Sequence, residues 1–402
     1  MDIDSEHLLV IILISSRRVS ATVAWLHPVQ GERVVAHKSL ECHWHELSAR
    51  GKKQTVADAV QLACDGAGVE AYSAYIAMSD PSIGSQIGTG YADLGQEMNL
   101  TLSEKDQALV RARHHALGED RELLHALPVH WTVRSRQGER EVTDPVGEKG
   151  SRLTGHVLLV TARKGYREEL GGLLDHCTLQ LDGVIAPPVA LYHGISGKLK
   201  ARGSTVVVDC GARHTSLLVH RKGRLLHLQT YDFGGDQLTQ RLASELHIPL
   251  DQAEDLKREV DLSAQIAPGD SEGQLYLWRD VQERHRLIAP AARICAAELR
   301  TFFGLRAREL RDQELIGQVG QVHRVGRGSA LGGVPLLVKE VFDLPVVLGT
   351  GARDRDPSAE LVDLLISGVV RCAADERRIQ LGLNPLSGRI ARMFGWLGRP
   401  LE

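Results

Sequence analysis

Two widely separated segments of this chain follow the same plan of strand, tight turn, strand, turn and strand. The first segment begins with the apolar run at residues 8–14, and the second begins with the β-branched run at residues 205–208. Short apolar runs bounded by turn residues predict buried strands. Because a repeated unit reveals an architecture even when each copy is ambiguous, this repeat predicts two similar halves that face a cleft.

Length and composition narrow the class of protein. At 402 residues the chain is too long for one compact core, so we expect at least two domains. The net charge of -3 is that of an ordinary protein in water and argues against nucleic acid as a partner. Aromatic residues are few and aliphatic residues are many, which suits an α/β fold with buried parallel or mixed sheets.

The cysteines are scattered and show no Cys-x-x-Cys spacing, which favours reduced thiols over a disulfide framework or a zinc site; they are Cys42, Cys64, Cys177, Cys210, Cys295 and Cys372. His43 and His45 would share one face of a strand end, but no third metal ligand is nearby, so we predict no metal site. The apolar run at residues 8–14 is too short for a signal peptide or a membrane span. We expect the bulk of the protein to be cytosolic.

The turn after residues 205–208 carries Asp209 and Gly211. A carboxylate at such a turn can hold a metal-bound water, and a glycine lets backbone N–H groups approach phosphate oxygens. The same Asp-x-Gly pattern is also found in plain β-hairpins. A phosphate-binding loop and a simple hairpin turn therefore both remain open at this point.

The duplicated hairpins are accompanied by Phe233-Gly234-Gly235-Asp236, by a glycine-rich turn near Gly326 and, above all, by a distinctive block at residues 102–161. In these features the chain resembles FtsA, the bacterial actin that attaches the division ring to the inner membrane. That block lies where FtsA, unlike actin, carries an inserted subdomain. Similar short runs within or near it are Ala77-Met78-Ser79, His125-Ala126-Leu127-Pro128, Asp144-Pro145-Val146-Gly147, Arg152-Leu153 and residues 156–161.

The resemblance implies an actin-like fold of the sugar kinase, Hsp70 and actin class, with two α/β domains and the FtsA-type insert. The expected subdomains are 1A at residues 1–80, the insert 1C at 81–162, 2A at 163–235 with 318–382, 2B at 236–317, and a linker with a C-terminal helix at 383–402.

The resemblance also places a nucleotide cleft at three turns, and the chain departs from the FtsA pattern in each. In the first turn, Leu13 takes the place of an acidic residue. In the second turn, Ala212-Arg213-His214 takes the place of two glycines and a threonine. In the third turn, Arg327 takes the place of a glycine. The expected cleft positions are Ser15, Ser16, Arg17, Asp209, Gly211, Arg213, His214, Gly234, Gly235, Gly326, Arg327 and Gly328.

Two interpretations of these substitutions compete. Arg17, Arg213 and Arg327 could bind ATP, with magnesium, through charge in place of backbone amides. The favoured interpretation is a degenerate cleft in a fold that is kept as a scaffold, because leucine at position 13 can neither support a metal nor orient a water. We therefore predict a pseudo-ATPase and assign no catalytic residue.

The C-terminal segment has the pattern of an interfacial membrane helix. Aliphatic and aromatic side chains share one helical face, arginines share another, and Trp396 lies at the boundary; these residues are Arg389, Ile390, Arg392, Met393, Phe394, Trp396, Leu397 and Arg399. A terminal helix packed on the body is the alternative. One such helix binds weakly, so stable attachment requires many copies in a polymer.

The function implied by the resemblance is a scaffold that polymerises and attaches the FtsZ ring to the membrane. The expected partners are further copies of the chain, FtsZ and other division proteins, and the anionic cytoplasmic face of the inner membrane, where the protein is peripheral. One alternative is an ATP-binding FtsA whose nucleotide state controls polymerisation. Another is a paralogue resembling PilM that serves a different envelope machine. The arginine-rich run at residues 284–311 predicts a solvated helix face or a subunit contact.

Overall fold

The structure is a computed structural model that describes residues 7–27, 31–116, 118–196, 204–263, 281–317, 319–326, 331–348 and 357–380. It divides into two compact units. The first unit consists of residues 1–197, 224–229 and 364–402, and the second of residues 198–223 and 230–363. Among the described residues, no helix is both long and apolar enough to cross a membrane.

The first unit begins with a sheet in the order β3-β2-β1-β4-β9. Strand β1 runs antiparallel to β2 and parallel to β4, and β4 runs parallel to β9. The first predicted hairpin is confirmed, because its strands are the first three of this sheet. The sheet and its helices are β1 (Leu8–Ser15), β2 (Arg18–His27), β3 (Gly31–Glu41), α1 (Ala49–Ala67), β4 (Ser73–Met78), α3 (Tyr166–Gly171), β9 (Gln180–Val184) and α4 (Pro187–Ser196), with a 3-10 helix at Gly172–Leu174.

Helix α1 shows how local sequence fixes an element of this unit. Ser48 Oγ accepts a hydrogen bond from Gly51 N at 3.1 Å, which caps the amino end. Gly68 adopts a left-handed conformation with a φ of 68° and ends the helix. Between the caps, the buried face of α1 carries Val56, Ala59, Val60, Ala63 and Cys64.

The first unit also contains a sheet in the order β5-β8-β6-β7, with one helix against it. Its elements are β5 (Gly84–Asn99), α2 (Leu102–Ala116), β6 (Arg121–Ser135), β7 (Gly138–Val142) and β8 (Lys149–Arg163). A Cβ on Gly90 would lie 2.0 Å from the Ala108 carbonyl oxygen, so glycine allows α2 to lie directly on β5. Strand β5 starts at Gly84, where it pairs with Thr161 of β8.

The amino end of α2 is capped by Thr101. Ser103 N donates to Thr101 Oγ1 at 3.2 Å, and Thr101 N donates to Glu104 Oε2 at 2.7 Å. These reciprocal hydrogen bonds between side chains and backbone fix the start of the helix at Thr101.

The second unit contains strands in the order β14-β13-β10-β11, with β10, β13 and β14 parallel. Its core joins the sheet to the helices through side chains such as Val206, Leu238, Leu256, Phe303 and Leu337. The elements are β10 (Ser204–Cys210), β11 (Thr215–Arg221), α5 (Gly235–Leu246), α6 (Leu250–Glu259), α7 (Val281–Asp312), β13 (Val319–Val325), α8 (Val334–Phe342) and β14 (Val346–Leu348). Two further elements are divided between the units: β12 (Arg224–Tyr231) belongs to the first unit up to Gln229, and α9 (Pro357–Gln380) belongs to it from Leu364.

Two features of the observed division differ from the predicted organisation. Residues 163–197, predicted in subdomain 2A, lie in the first unit because β9 pairs in parallel with β4, at Tyr75 with Gly183 for example. Helix α9, predicted in subdomain 2A, joins the first unit from Leu364 onward.

Candidate functional site

The first predicted phosphate turn is a tight hairpin at the end of β1. Ser15 pairs with Arg18, and Ser15 Oγ donates to the Arg18 carbonyl oxygen at 3.0 Å. The carbonyl oxygens of Ser16 and Arg17 accept hydrogen bonds from Trp44 N at 3.0 Å and Cys42 N at 3.1 Å. The segment after β3 therefore stabilises this turn through backbone hydrogen bonds. The turn itself, from Ser15 to Arg18, contains no carboxylate for a metal or a water.

The second predicted phosphate turn joins β10 to β11 and closes on itself. Gly211 N donates to the His214 carbonyl oxygen at 2.9 Å, which makes the turn tight. Arg213 at its tip is exposed, whereas the His214 side chain is mostly buried, with Nε2 3.8 Å from Asp232 Oδ1. The second predicted hairpin is confirmed, and it includes the turn that carries Asp209 and Gly211.

The amino end of α5 lies against this turn and uses its backbone donors there. Gly235 N donates to the Gly211 carbonyl oxygen at 3.2 Å, and Asp236 N donates to the Ala212 carbonyl oxygen at 2.7 Å. A Cβ on Gly234 would lie 2.5 Å from that same Ala212 oxygen. The glycine pair is thus explained by a backbone-to-backbone contact, and these N–H groups are engaged inside the protein.

Gly234 is the residue that caps the amino end of α5. Gln237 Oε1 accepts a hydrogen bond from Gly234 N at 2.8 Å. Asp236 lies in the first turn of the helix, where a negative charge is favourable.

Asp209 is the chemically distinctive residue of the second unit. Its Oδ1 is buried and has no hydrogen-bond partner among the described residues, and burial raises the pKa of this carboxyl to about 7. A Cβ on Gly326, whose φ is +89°, would lie 2.6 Å from Asp209 Oδ1. A glycine here leaves room beside the carboxylate. Arg327 and Gly328, also predicted in this turn, lie outside the described residues.

Sequence reasoning overlooked a polar cluster next to the α5 terminus. Lys257 Nζ donates to the Gly235 carbonyl oxygen at 2.9 Å, to Thr239 Oγ1 at 2.8 Å and to Glu254 Oε2 at 2.6 Å. Burial raises the pKa of the Glu254 carboxyl, but hydrogen bonds from Lys257 and Thr239 outweigh it and lower that pKa to about 2. The spacing of Glu254 and Lys257 on a helix was the available signal.

Replacing Lys257 with methionine is expected to lower the free energy of unfolding by about 2–3 kcal/mol. The change keeps the apolar stem but leaves Glu254 and the Gly235 carbonyl without their shared donor in a mostly buried position. Urea denaturation measures this difference. Arg258→Met is the matched control, because Arg258 contacts the other oxygen of Glu254 from a side chain that is 63% exposed, and its loss should cost less than about 0.5 kcal/mol. Equal losses would contradict the buried role of Lys257.

The predicted site residues are thus brought together only in part. The second unit places Asp209, Gly211, His214, Gly234, Gly235 and Gly326 in one neighbourhood through the contacts described above. Ser15, Ser16 and Arg17 belong to the first unit. His43 Nδ1 lies 3.6 Å from Glu46 Oε1. Within the described ranges, no group of three or more side chains that could hold a metal ion occurs.

Two family models match the parts of the chain that carry these features. The model described as "Cell division protein FtsA" matches residues 206–363, and the model described as "SHS2 domain inserted in FTSA" matches residues 81–161. The chain belongs to the FtsA family. The resemblance inferred from the sequence is confirmed. The FtsA-specific domain falls on the part of the first unit that contains β5, α2, β6, β7 and β8.

Curated FtsA proteins are similar to the chain at low identity. The cell division protein FtsA of Agrobacterium fabrum is 26% identical over 266 residues, which are 63% of this chain and 59% of that protein. The FtsA of Pseudomonas aeruginosa is 24% identical over 300 residues, which are 74% of this chain and 70% of that protein. The match to the first of these relatives therefore spans less than two thirds of its length.

A solved structure supports the fold. The chain in the structure described as "PilM-PilN type IV pilus biogenesis complex" aligns with a TM-score of 0.57 at 16% identity, covering 94% of this chain and 99% of that one. At that identity the likeness concerns architecture alone. Together with the FtsA-specific insert, it confirms the predicted actin-like α/β fold.

Proposed function

We propose that this FtsA-family protein is a self-assembling scaffold that attaches division proteins, FtsZ among them, to the anionic face of the inner membrane. Family membership supports a role in cell division. We further propose that the protein works without hydrolysing ATP. The observation that carries this second part is the end of β1, where Leu13 stands at the position at which the resemblance to FtsA implies a carboxylate.

The chemistry of ATP hydrolysis explains why a missing carboxylate at this position matters. Phosphoryl transfer to water requires a metal and a positioned water, and side chains with carboxylate or amide oxygens usually hold them. In the second unit, the N–H groups of Gly211, Gly235 and Asp236 already donate to carbonyl oxygens of the protein. These residues do not fit metal-assisted hydrolysis, which supports the interpretation as a pseudo-ATPase.

The membrane part of the proposal depends on the C-terminal amphipathic pattern. Arg389, Phe394 and the other residues of that pattern lie outside the described residues, so the proposal uses their sequence alone. Helix α9 ends at Gln380, only a few residues before them. Arginines opposite aromatic and aliphatic side chains suit the interface of an anionic bilayer.

Sedimentation with vesicles tests the scaffold function. We expect the full chain to sediment with vesicles of phosphatidylglycerol and phosphatidylethanolamine without nucleotide, and to carry FtsZ with it. Phe394→Glu should reduce the bound fraction at least about tenfold by placing a charge on the apolar face. Arg399→Gln, which removes one terminal charge, should reduce it less. Binding that requires ATP, or that survives Phe394→Glu unchanged, would contradict the proposal.

A nucleotide-binding FtsA is the second candidate, and one observation favours it. The buried Asp209 Oδ1 lacks a donor among the described residues, and a cation is the kind of group that satisfies such an oxygen. Calorimetry with ATP and magnesium, on the wild type and on Asp209→Ala, separates the candidates. Micromolar binding that Asp209→Ala abolishes would establish this second function, whereas no measurable heat supports the nucleotide-free scaffold.

A further inference from the structure

The long helix α7 carries a row of arginines on its solvent side. Arg286 and Arg293 are exposed, and the Arg300 side chain is 38% exposed, with Nη2 3.2 Å from Glu340 Oε2. Seven residues turn an α-helix by about 700°, so these side chains share one face and follow each other at about 10.5 Å. Within the part of the chain that the structure describes, neither Arg286 nor Arg293 has an ionic partner.

One small residue on this face lies between Arg293 and Arg300, and another follows Arg300. Ala297 is exposed and lies four residues after Arg293 and three before Arg300. A Cβ on Gly304 would meet nothing within 4 Å, so the surface beside it is open. Small side chains between long cationic ones form a shallow groove that another helix can approach closely.

Helix α1, in the other unit, presents the complementary pattern. Asp58 and Asp65 are exposed and seven residues apart, and Leu62 between them is 43% exposed. Gln54 Nε2 donates to Asp58 Oδ1 at 2.8 Å, and Gln61 Nε2 donates to Asp65 Oδ1 at 2.7 Å, so both carboxylates are held on the helix surface with a second oxygen available. The spacing i, i+4 and i+7 is the one seen at Arg293, Ala297 and Arg300.

We propose that helix α1 of one copy of the chain docks along helix α7 of the next copy. In a parallel arrangement Asp58 meets Arg293, Leu62 lies on Ala297, and Asp65 meets Arg300. Because the two faces differ, the contact is heterologous, and repeating it adds further copies in a row or a ring. This inference rests on the proposed scaffold function, for which it names the contacting surfaces.

The size of the contact suits a polymer that assembles on a membrane. One helix pair buries less area than a stable isolated complex requires, and each exposed ion pair contributes about 1 kcal/mol or less. Such a contact is weak between two free copies. It becomes effective when many copies are held on one surface, and it should weaken as salt screens the charges.

Charge reversal tests the contact with the full chain on anionic vesicles and in solution. Self-association is measured by sedimentation velocity and by pelleting at 50 mM salt, and unfolding curves check each fold. We expect Arg293→Glu alone and Asp58→Arg alone each to raise the concentration needed for association at least tenfold. An equimolar mixture of these two variants should associate better than either alone, because in an alternating row half of the contacts pair the two reversed charges and the other half pair the two native ones.

Arg136→Glu is the control, since this side chain is 90% exposed on the insert and the change in charge is the same; it should leave association unchanged. A wild type that associates while the Arg293 and Asp58 variants associate equally well would overturn the α1–α7 contact alone. A wild type that binds vesicles but never self-associates would overturn both this contact and the scaffold function. A mixture that is no better than its components would also overturn the pairing.

Discussion

Replacing Gly368 with alanine is expected to lower the free energy of unfolding by about 3 kcal/mol or more. Helices α4 and α9 cross in the first unit, where a Cβ on Gly368 would lie 1.8 Å from the Ala190 carbonyl oxygen. A Cβ on a second glycine, Gly194, would likewise lie 2.1 Å from the Leu364 carbonyl oxygen. Both obstacles are backbone atoms, which cannot turn aside as a side chain would, so the helices must separate.

The sign of this effect distinguishes packing from helix propensity. Alanine is favoured over glycine inside a helix by about 1 kcal/mol, so propensity alone predicts that Gly368→Ala stabilises the protein. Gly304→Ala is the matched control, because Gly304 lies inside α7 with open space around it and should gain up to about 1 kcal/mol. Urea unfolding of both variants gives the comparison. A stabilising Gly368→Ala would mean that the two helices are not in contact at this point.

The repeated hairpins were predictable because their signal is local. Strands β1 and β2, and again β10 and β11, are short β-branched runs joined by tight turns, so sequence neighbours are also partners in the sheet. The predicted start of subdomain 2A at residue 163 differs from the observed division because the signal there is not local. Strand β9 pairs with β4 across about a hundred residues of chain, and nothing in its own five residues reveals that partner.

The candidate site shows the same limit at the level of single residues. The absence of a carboxylate at Leu13 can be read from the sequence, because it concerns which side chain is present. The contact of Lys257 with the Gly235 carbonyl cannot, because it requires α6 to lie beside the start of α5. Gly234 was assigned to phosphate binding, but its nearest neighbour is the Ala212 carbonyl oxygen.

Asp209→Asn is expected to stabilise the protein at pH 8 by about 2 kcal/mol and to leave it nearly unchanged at pH 4. The pKa of Asp209 is about 7 in the folded protein, raised by burial, against about 3.9 in an unfolded chain. Between these values the folded state binds more protons than the unfolded state. The contribution of Asp209 to the free energy of unfolding is therefore most favourable below pH 4, and it falls as the pH rises toward 7.

The expected size of the stabilisation follows from the difference between the pKa of Asp209 in the folded and in the unfolded chain. Three pH units correspond to about 4 kcal/mol, and about half of that is expected because part of the side chain remains in contact with water. Urea unfolding between pH 4 and 8 measures the effect, with Asp255→Asn as the control at an exposed position. Asparagine keeps the shape of the protonated acid, so a variant that is less stable than the wild type at pH 8 would show that the ionised carboxylate has a partner. If adding magnesium then removed the pH dependence of the wild type alone, that partner would be a cation, and the nucleotide-binding candidate would gain its first support in solution.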